Sequence, residues 1–190
     1  MRVSRAKSVE NRELVLDTAA KLFKENGFDG IGVADLMKNA GLTVGGFYKT
    51  FESKEDLVAQ TCKRACEKSF QRWEELISNP EIVDPLHRIA NSYLSTKNRD
   101  QLATTCVFST LATEVPRHDE AVKQVFADSI ESTINLLSKA SLGETEEEKR
   151  INTVAMLSQW VGALILARAA GTGELSEEIL EASKKLAIRN

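Results

Sequence analysis

Apolar residues in this chain return every three or four positions almost throughout, interrupted only by glycines, prolines and short polar stretches. That spacing lines apolar side chains along one side of an α-helix, and the alternation that marks a half-buried strand is absent. Leu16, Ala19, Ala20 and Phe23 form the first such stripe. Gly27 follows Asn26 and Gly41 follows Ala40, where a helix would end on a residue free to adopt positive φ. The three prolines, Pro80, Pro85 and Pro116, fall between the runs. Ser53, with Asp56 three positions on, reads as the capping box of a long helix. Helices are therefore expected over 8–26, 33–40, 44–50, 53–79, 85–95, 102–114, 119–140, 146–170 and 176–188. The polar stretches STKNRDQ (95–101) and SLGETEEE (141–148) read as links. The expectation is an all-α chain of about nine helices: a three-helix unit over 1–52, then a helical bundle over 53–190.

With 42% hydrophobic and 28% charged residues, a chain of 190 can bury a sizeable core. Its net charge of −3 conceals an asymmetry. Residues 1–64 hold 11 Lys+Arg against 9 Asp+Glu, a net +2; taken from totals of 25 and 28, that leaves 14 against 19, a net −5, for the rest. Among the first dozen residues Arg2, Arg5, Lys7 and Arg12 face Glu10 alone. A basic end on an acidic body fits a polyanion partner, or simply a solvated tail. The N-terminus lacks the apolar segment of a secretory leader. The longest uninterrupted apolar run, WVGALILA, has about eight residues, well short of a membrane span. Three cysteines give no disulfide framework, so a cytoplasmic protein with reduced thiols is expected.

The stretch GLTVGGFYKTF (41–51) places two adjacent glycines in the first turn of a short helix. Each disfavours the helix by roughly 1 kcal/mol relative to alanine. Two short helices joined by a glycine-containing turn form a helix-turn-helix, whose second helix enters the DNA major groove by its N-terminal end. In that setting Gly45 and Gly46 let the backbone approach DNA closely. Thr43 is the expected N-cap and can reach a phosphate, and Val44 can touch a thymine methyl. Tyr48 and Lys49 can donate to phosphates, as can Lys54 at the start of the next helix. Phe47 and Phe51 are expected to face inward as anchors.

The segment GFDGIGVADLMKNAGLTVGGFYKTFESKEDLV (27–58) closely resembles the DNA-binding domain of TetR/AcrR-family transcriptional regulators. The landmarks are Gly27-Phe28, the AGLT turn, Gly45 with Phe47-Tyr48, Phe51, and SKEDL. The resemblance covers about residues 9–60. It implies a homodimer that binds a pseudo-palindromic DNA operator and is in most cases a repressor, released when a small molecule enters the C-terminal domain. By position, the DNA-facing roles fall on Thr43, Val44, Gly45, Gly46, Tyr48, Lys49 and Lys54. Gly32 stands where the family often has Thr or Ser, Val44 where a polar residue is frequent, and Gly46 where a small side chain is found. With few side chains able to bond bases, specificity is expected to lean on Lys49, the basic N-terminal stretch and DNA shape.

The region over 53–190 is read as the ligand-binding and dimerisation domain. Its helix at 146–170 is apolar on two sides: Val154, Leu157, Val161 and Leu164 on one, Ile151, Ala155, Ser158, Gly162, Ile165 and Ala169 on the other. One side can face the chain's own core, and the other needs a further partner. Together with the amphipathic last helix this suggests a homodimer through a four-helix interface, with Val154, Ser158, Val161, Gly162, Ile165, Ile179, Ser183 and Leu186 as candidates. Coverage of both sides within one chain is the alternative.

Trp73, Tyr93, Cys106, Phe108, Met156 and Trp160 are candidates for lining an effector pocket, with ordinary core packing as the plain alternative. Cys106, in TTCVFSTLATEV, falls at the start of an expected helix, which would favour a reactive thiol. A thiol-reactive inducer follows as one expectation, and simple burial as the other. Cys62 and Cys66, four apart, share a helix side and are read as core rather than metal ligands. His87 and His118 are isolated, with His118 expected on an exposed loop. No catalytic triad, P-loop or dinucleotide motif is present, so neither an enzyme nor a bound cofactor is expected. A constitutive architectural DNA binder remains the rival reading, and a helical-bundle enzyme with a vestigial helix-turn-helix a third.

Overall fold

The computed structural model describes residues 5–187. Arg2, counted above in the basic stretch, and position 188, the expected end of the last helix, lie outside them. Ten α-helices occur among the described residues: α1 (Arg5–Asn26), α2 (Val33–Asn39), α3 (Val44–Phe47), α4 (Lys54–Ser78), α5 (Pro85–Tyr93), α6 (Thr96–Asp100), α7 (Phe108–Leu111), α8 (Glu120–Ser138), α9 (Glu146–Ala169) and α10 (Glu174–Ala187). Two 3₁₀ turns, Leu102–Thr104 and Val115–Arg117, flank α7. The described residues contain no strand, as the periodicity requires.

Local chemistry sets the boundaries. Ser53 Oγ accepts from the Asp56 N–H at 3.0 Å, and the Asp56 carboxylate returns to the Glu52 N–H at 3.0 Å. Asp84 caps α5 through the His87 N–H at 2.8 Å. Thr145 and Glu148 form a reciprocal capping box on α9, which begins at Glu146 as expected.

Two stretches depart from expectation. The helix expected over 44–50 ends at Phe47, where Thr50 N–H closes a turn on the Phe47 carbonyl at 2.8 Å. The helix expected over 102–114 breaks into a 3₁₀ turn, an extended Thr105 and the four-residue α7. Hydroxyls there compete for backbone carbonyls: Ser109 Oγ and Thr110 Oγ1 each donate to the Cys106 carbonyl at 3.1 Å. The polar link at 95–101 instead forms α6, because Ser95 Oγ accepts from the Asn98 N–H at 3.1 Å.

α4 packs on α1 at one end and along α8 at the other. The boundary expected at 52/53 therefore falls at the cap of a helix that both regions share. One continuous core runs from Leu16, Phe23, Phe28, Phe47 and Phe51 to Leu137, Trp160 and Leu164. α9 lies between α8 and α10, burying Met156, Leu157, Trp160 and Leu164. Its outer side leaves Ile151, Val154 and Leu166 exposed and Val161, Gly162 and Ile165 half-buried. Among the described residues α9 is also the one helix long and apolar enough to cross a membrane, a property that the core helix of a bundle shares.

Candidate nucleic-acid interface and effector pocket

α2 ends in a two-bond cap, with Leu42 N–H donating to the Met37 carbonyl at 2.9 Å and Gly41 N–H to Lys38 at 3.0 Å. Gly41 takes φ +68°, which turns the chain into α3. Phe47 and Phe51 are buried with ring centroids 5.4 Å apart, so α3 is held from within. Thr43, Val44, Gly45, Tyr48 and Lys49 are exposed on its outer side, and Gly46 is half-buried. Thr43 precedes α3 as expected, but its hydroxyl makes no capping bond.

Nothing in the chain's own packing calls for the two glycines. A Cβ built on Gly45 meets nothing within 4 Å, and one on Gly46 makes only ordinary contact with Met37 at 3.7 Å and Thr43 at 3.9 Å. Both line an open groove of about 500 Å³ that also takes in Thr43 and Lys49 on the recognition side and Ser8 and Asn11 on α1. The two α1 residues went unmarked in the sequence because only tertiary packing brings α1 beside α3. Lys54 lies 3.8 Å from the exposed Asp29 carboxylate. So exposed a pair is worth little and can be exchanged for a phosphate.

In the C-terminal region the expected pocket residues separate. Trp73, Tyr93 and Cys106 share a cavity of about 80 Å³ between α4 and α5. Phe108 joins Trp73 and Cys106 at an adjoining void of about 10 Å³. Met156 and Trp160 line neither: both are core, with the Trp160 ring 6.0 Å from that of Tyr93. A larger groove of about 430 Å³ opens between α4 and α8, lined by Cys66, Phe70, Val125 and Thr133 and edged by Lys63, Glu67, Glu74 and Asp128. Cys66, Phe70 and Thr133 also border the small void, which lies between the groove and the cavity beside Cys106. The groove was missed because its lining alternates polar and apolar residues on two distant helices.

The cysteines differ in setting. Burial pushes the Cys62 thiol far up and the Cys66 thiol up to about 12, which leaves both protonated and unreactive. Cys106 precedes α7 rather than starting it, and a four-residue helix contributes little field. Two cationic side chains hold the residues on either side of it instead. The Arg168 guanidinium donates to Thr105 Oγ1 at 2.6 Å, the Ser109 carbonyl at 2.8 Å and the Asn98 carbonyl at 3.0 Å. Lys24 Nζ donates to the Thr105 carbonyl at 3.2 Å, and burial holds its pKa below the usual range. The Tyr93 hydroxyl, buried beside Cys106 and Ser109, has no hydrogen-bond partner of normal geometry.

Seven of the eight expected interface residues lie exposed or half-buried along α9 and α10. Ser183 is the exception: it is buried within the chain, so its place is in the monomer's own core. A Cβ on Gly162 would meet nothing within 4 Å, which leaves this side of α9 open to close approach. His118 is also a correction, since its side chain is 6% exposed rather than free in a loop.

Residues 15–61 match the family described as bacterial regulatory proteins, tetR family. Over 187 residues the chain is 27% identical to the HTH-type transcriptional repressor NemR of Escherichia coli, covering 93% of this chain and 94% of that protein. The crystal structure of Escherichia coli NemR in its reduced form superposes with a TM-score of 0.79 at 28% identity, over 94% of this chain and 95% of the other. A TetR transcriptional regulator from Legionella pneumophila gives a TM-score of 0.81 over 100% of this chain and 98% of that one, at 19% identity, a likeness of fold alone.

Proposed function

Because the chain is a member of the bacterial TetR family of transcriptional regulators, we propose that it is an effector-responsive repressor that binds a pseudo-palindromic operator as a homodimer. The observation that carries this reading is the outer side of α3, which is anchored by buried phenylalanines and bared by glycines that internal packing does not require. A backbone so exposed can approach a groove floor, while Val44 touches a thymine methyl and Tyr48 and Lys49 hold phosphates. Ser8 and Asn11, across the groove from Lys49, add phosphate donors.

The dimer forms through the outer sides of α9 and α10, where Val154, Ser158, Val161, Gly162, Ile165, Ile179 and Leu186 leave an apolar, closely approachable surface. Such pairing sets two recognition helices against successive major grooves about 34 Å apart. The effector binds in the α4–α8 groove, next to the cavity lined by Trp73, Tyr93 and Cys106. Cys106, at the cavity wall between Thr105 and Ser109, is the thiol through which an electrophile or oxidant would act. That the solved NemR structure is of a reduced form supports this reading. An effector releases DNA only by its preference for the non-binding conformation, and moving occupancy from 99% to 1% takes roughly 5.5 kcal/mol of such preference. A bacterial repressor of this kind acts in the cytoplasm.

The test is an operator selection from random DNA, followed by fluorescence anisotropy at one salt concentration. The expected result is a two-fold symmetric site bound at least about a thousandfold more tightly than scrambled DNA. Equal binding to both would support an architectural binder instead.

A further inference from the structure

α4 is not the only connection between the helix-turn-helix unit and the body of the subunit. The segment 105–118 meets the corner between α1 and α2 at separate points. The Glu114 carboxylate accepts from the Phe28 N–H at 2.8 Å, across 86 positions of sequence. His118 Nδ1 lies 3.0 and 3.1 Å from the two carboxylate oxygens of Glu55, in the first turn of α4. The His118 ring meets the buried Phe28 ring edge-on, with centroids 4.8 Å apart. Gly27 takes φ +77°, and a Cβ there would stand 2.8 Å from Glu114 Oε1. The carboxylate is therefore seated where only glycine leaves room.

We propose that Glu114 and His118 are positioning residues for DNA reading. They fix the angle of the helix-turn-helix unit on the subunit, and so the separation of the two recognition helices in the dimer. The inference rests on the dimeric-repressor reading. The unit meets the body through α4 and through α1, whose Lys24 holds the Thr105 carbonyl; the contacts of Glu114 and His118 add an attachment beyond the end of α1, at the corner with α2, and restrict the tilt that those two helices leave. The attachment suits that role. Phe28 N–H lies just past the end of α1, and an ionised acceptor binds such a donor about twice as strongly as a neutral one. The same segment carries Cys106 eight residues before Glu114, which gives a change at the thiol a short path to the corner.

The experiment compares the selected operator with versions whose half-sites are moved apart by one and two base pairs. Wild type is expected to lose at least about tenfold in affinity at two inserted base pairs, since each shifts and rotates one half-site against the other. E114A is expected to bind all three within about threefold, while E114Q, whose amide oxygen still accepts from Phe28 N–H, restores the discrimination. A general loss of stability would weaken all three operators alike. A dimeric, sequence-specific wild type whose folded E114A variant keeps the tenfold discrimination overturns the inference alone. A monomeric or sequence-indifferent wild type overturns the repressor reading and this inference with it. Should E114A fail to fold, hydrogen exchange on wild type decides: operator binding must slow exchange at Phe28 and across 105–118, and unchanged exchange there overturns the proposal.

Discussion

Residues 27–51 and residues 94–118, twenty-five each, hold their shapes by opposite means. In the first, apart from the Phe28 N–H taken by Glu114, backbone groups find partners a few positions away: Gly41 on Lys38, Leu42 on Met37, Thr50 on Phe47. Phenylalanines at 47 and 51 then pin the result to the core. In the second, the carbonyls of Asn98, Arg99, Thr105 and Ser109 are taken by side chains from α9 and α1, namely Arg168 and Lys24. A surface that must read DNA is built to be the same before and after binding. A segment held by distant side chains can be shifted by whatever disturbs them, so that is where a signal can enter.

The largest expected effect comes from removing the anchor of the first region. Phe47→Ala should destabilise the fold by about 3–5 kcal/mol and abolish operator binding, read by denaturant unfolding and anisotropy. A cost under about 1 kcal/mol would show that α3 is not held from within. The matching change in the second region is Arg168→Met. Loss of its charged hydrogen bonds should cost about 2–3 kcal/mol and speed proteolysis within 94–118 while sparing 27–51. Equal sensitivity of both regions would erase the distinction.

That distinction also explains what could be read without a structure. The helix-turn-helix was legible because Gly27, Gly41 and Ser53 punctuate it locally and Phe47 and Phe51 mark its inner side. That α9 is apolar on two sides was legible from periodicity, but the grouping was not: Leu157 and Leu164 are buried, while Val154 and Val161, expected beside them, lie on the outer side. The fragmentation of 102–114 was not, because its apolar pattern suits a helix and the hydroxyls that break it compete only once Arg168 stands behind them. For the same reason the setting of Cys106 is not visible in the sequence: it stands ahead of a four-residue helix, between residues held by Lys24 and Arg168. Met156 and Trp160 look like pocket residues in sequence and are core, while Cys66 and Phe70 border the groove.

A thiol test sharpens the contrast further. Iodoacetamide is expected to modify Cys106 well before Cys62 or Cys66, whose thiols burial keeps protonated, and mass spectrometry of the peptides reads the order. Modification of Cys62 first would remove Cys106 as the sensing thiol. A smaller effect concerns the seam between α1 and α4. The hydrogen bond from Arg64, aided by Lys68 and opposed by burial, holds the Asp17 carboxyl below its usual range. A depressed folded-state pKa gives stability present above the unfolded-state value and lost as pH falls through the folded one. Because the pair is partly exposed, Asp17→Asn should cost no more than about 1 kcal/mol at neutral pH, and the difference from wild type should shrink below about pH 4.

The most direct measurement is on Gly45→Ala. With nothing within 4 Å of the new methyl group, and alanine the better helix former, stability should stay level or rise by about 0.5–1 kcal/mol. Operator affinity should nevertheless fall at least about tenfold, because the methyl group occupies space reserved for DNA; that loss corresponds to about 1.4 kcal/mol. A variant that is equally stable and binds its operator as tightly as wild type would mean that this side of α3 does not face the DNA.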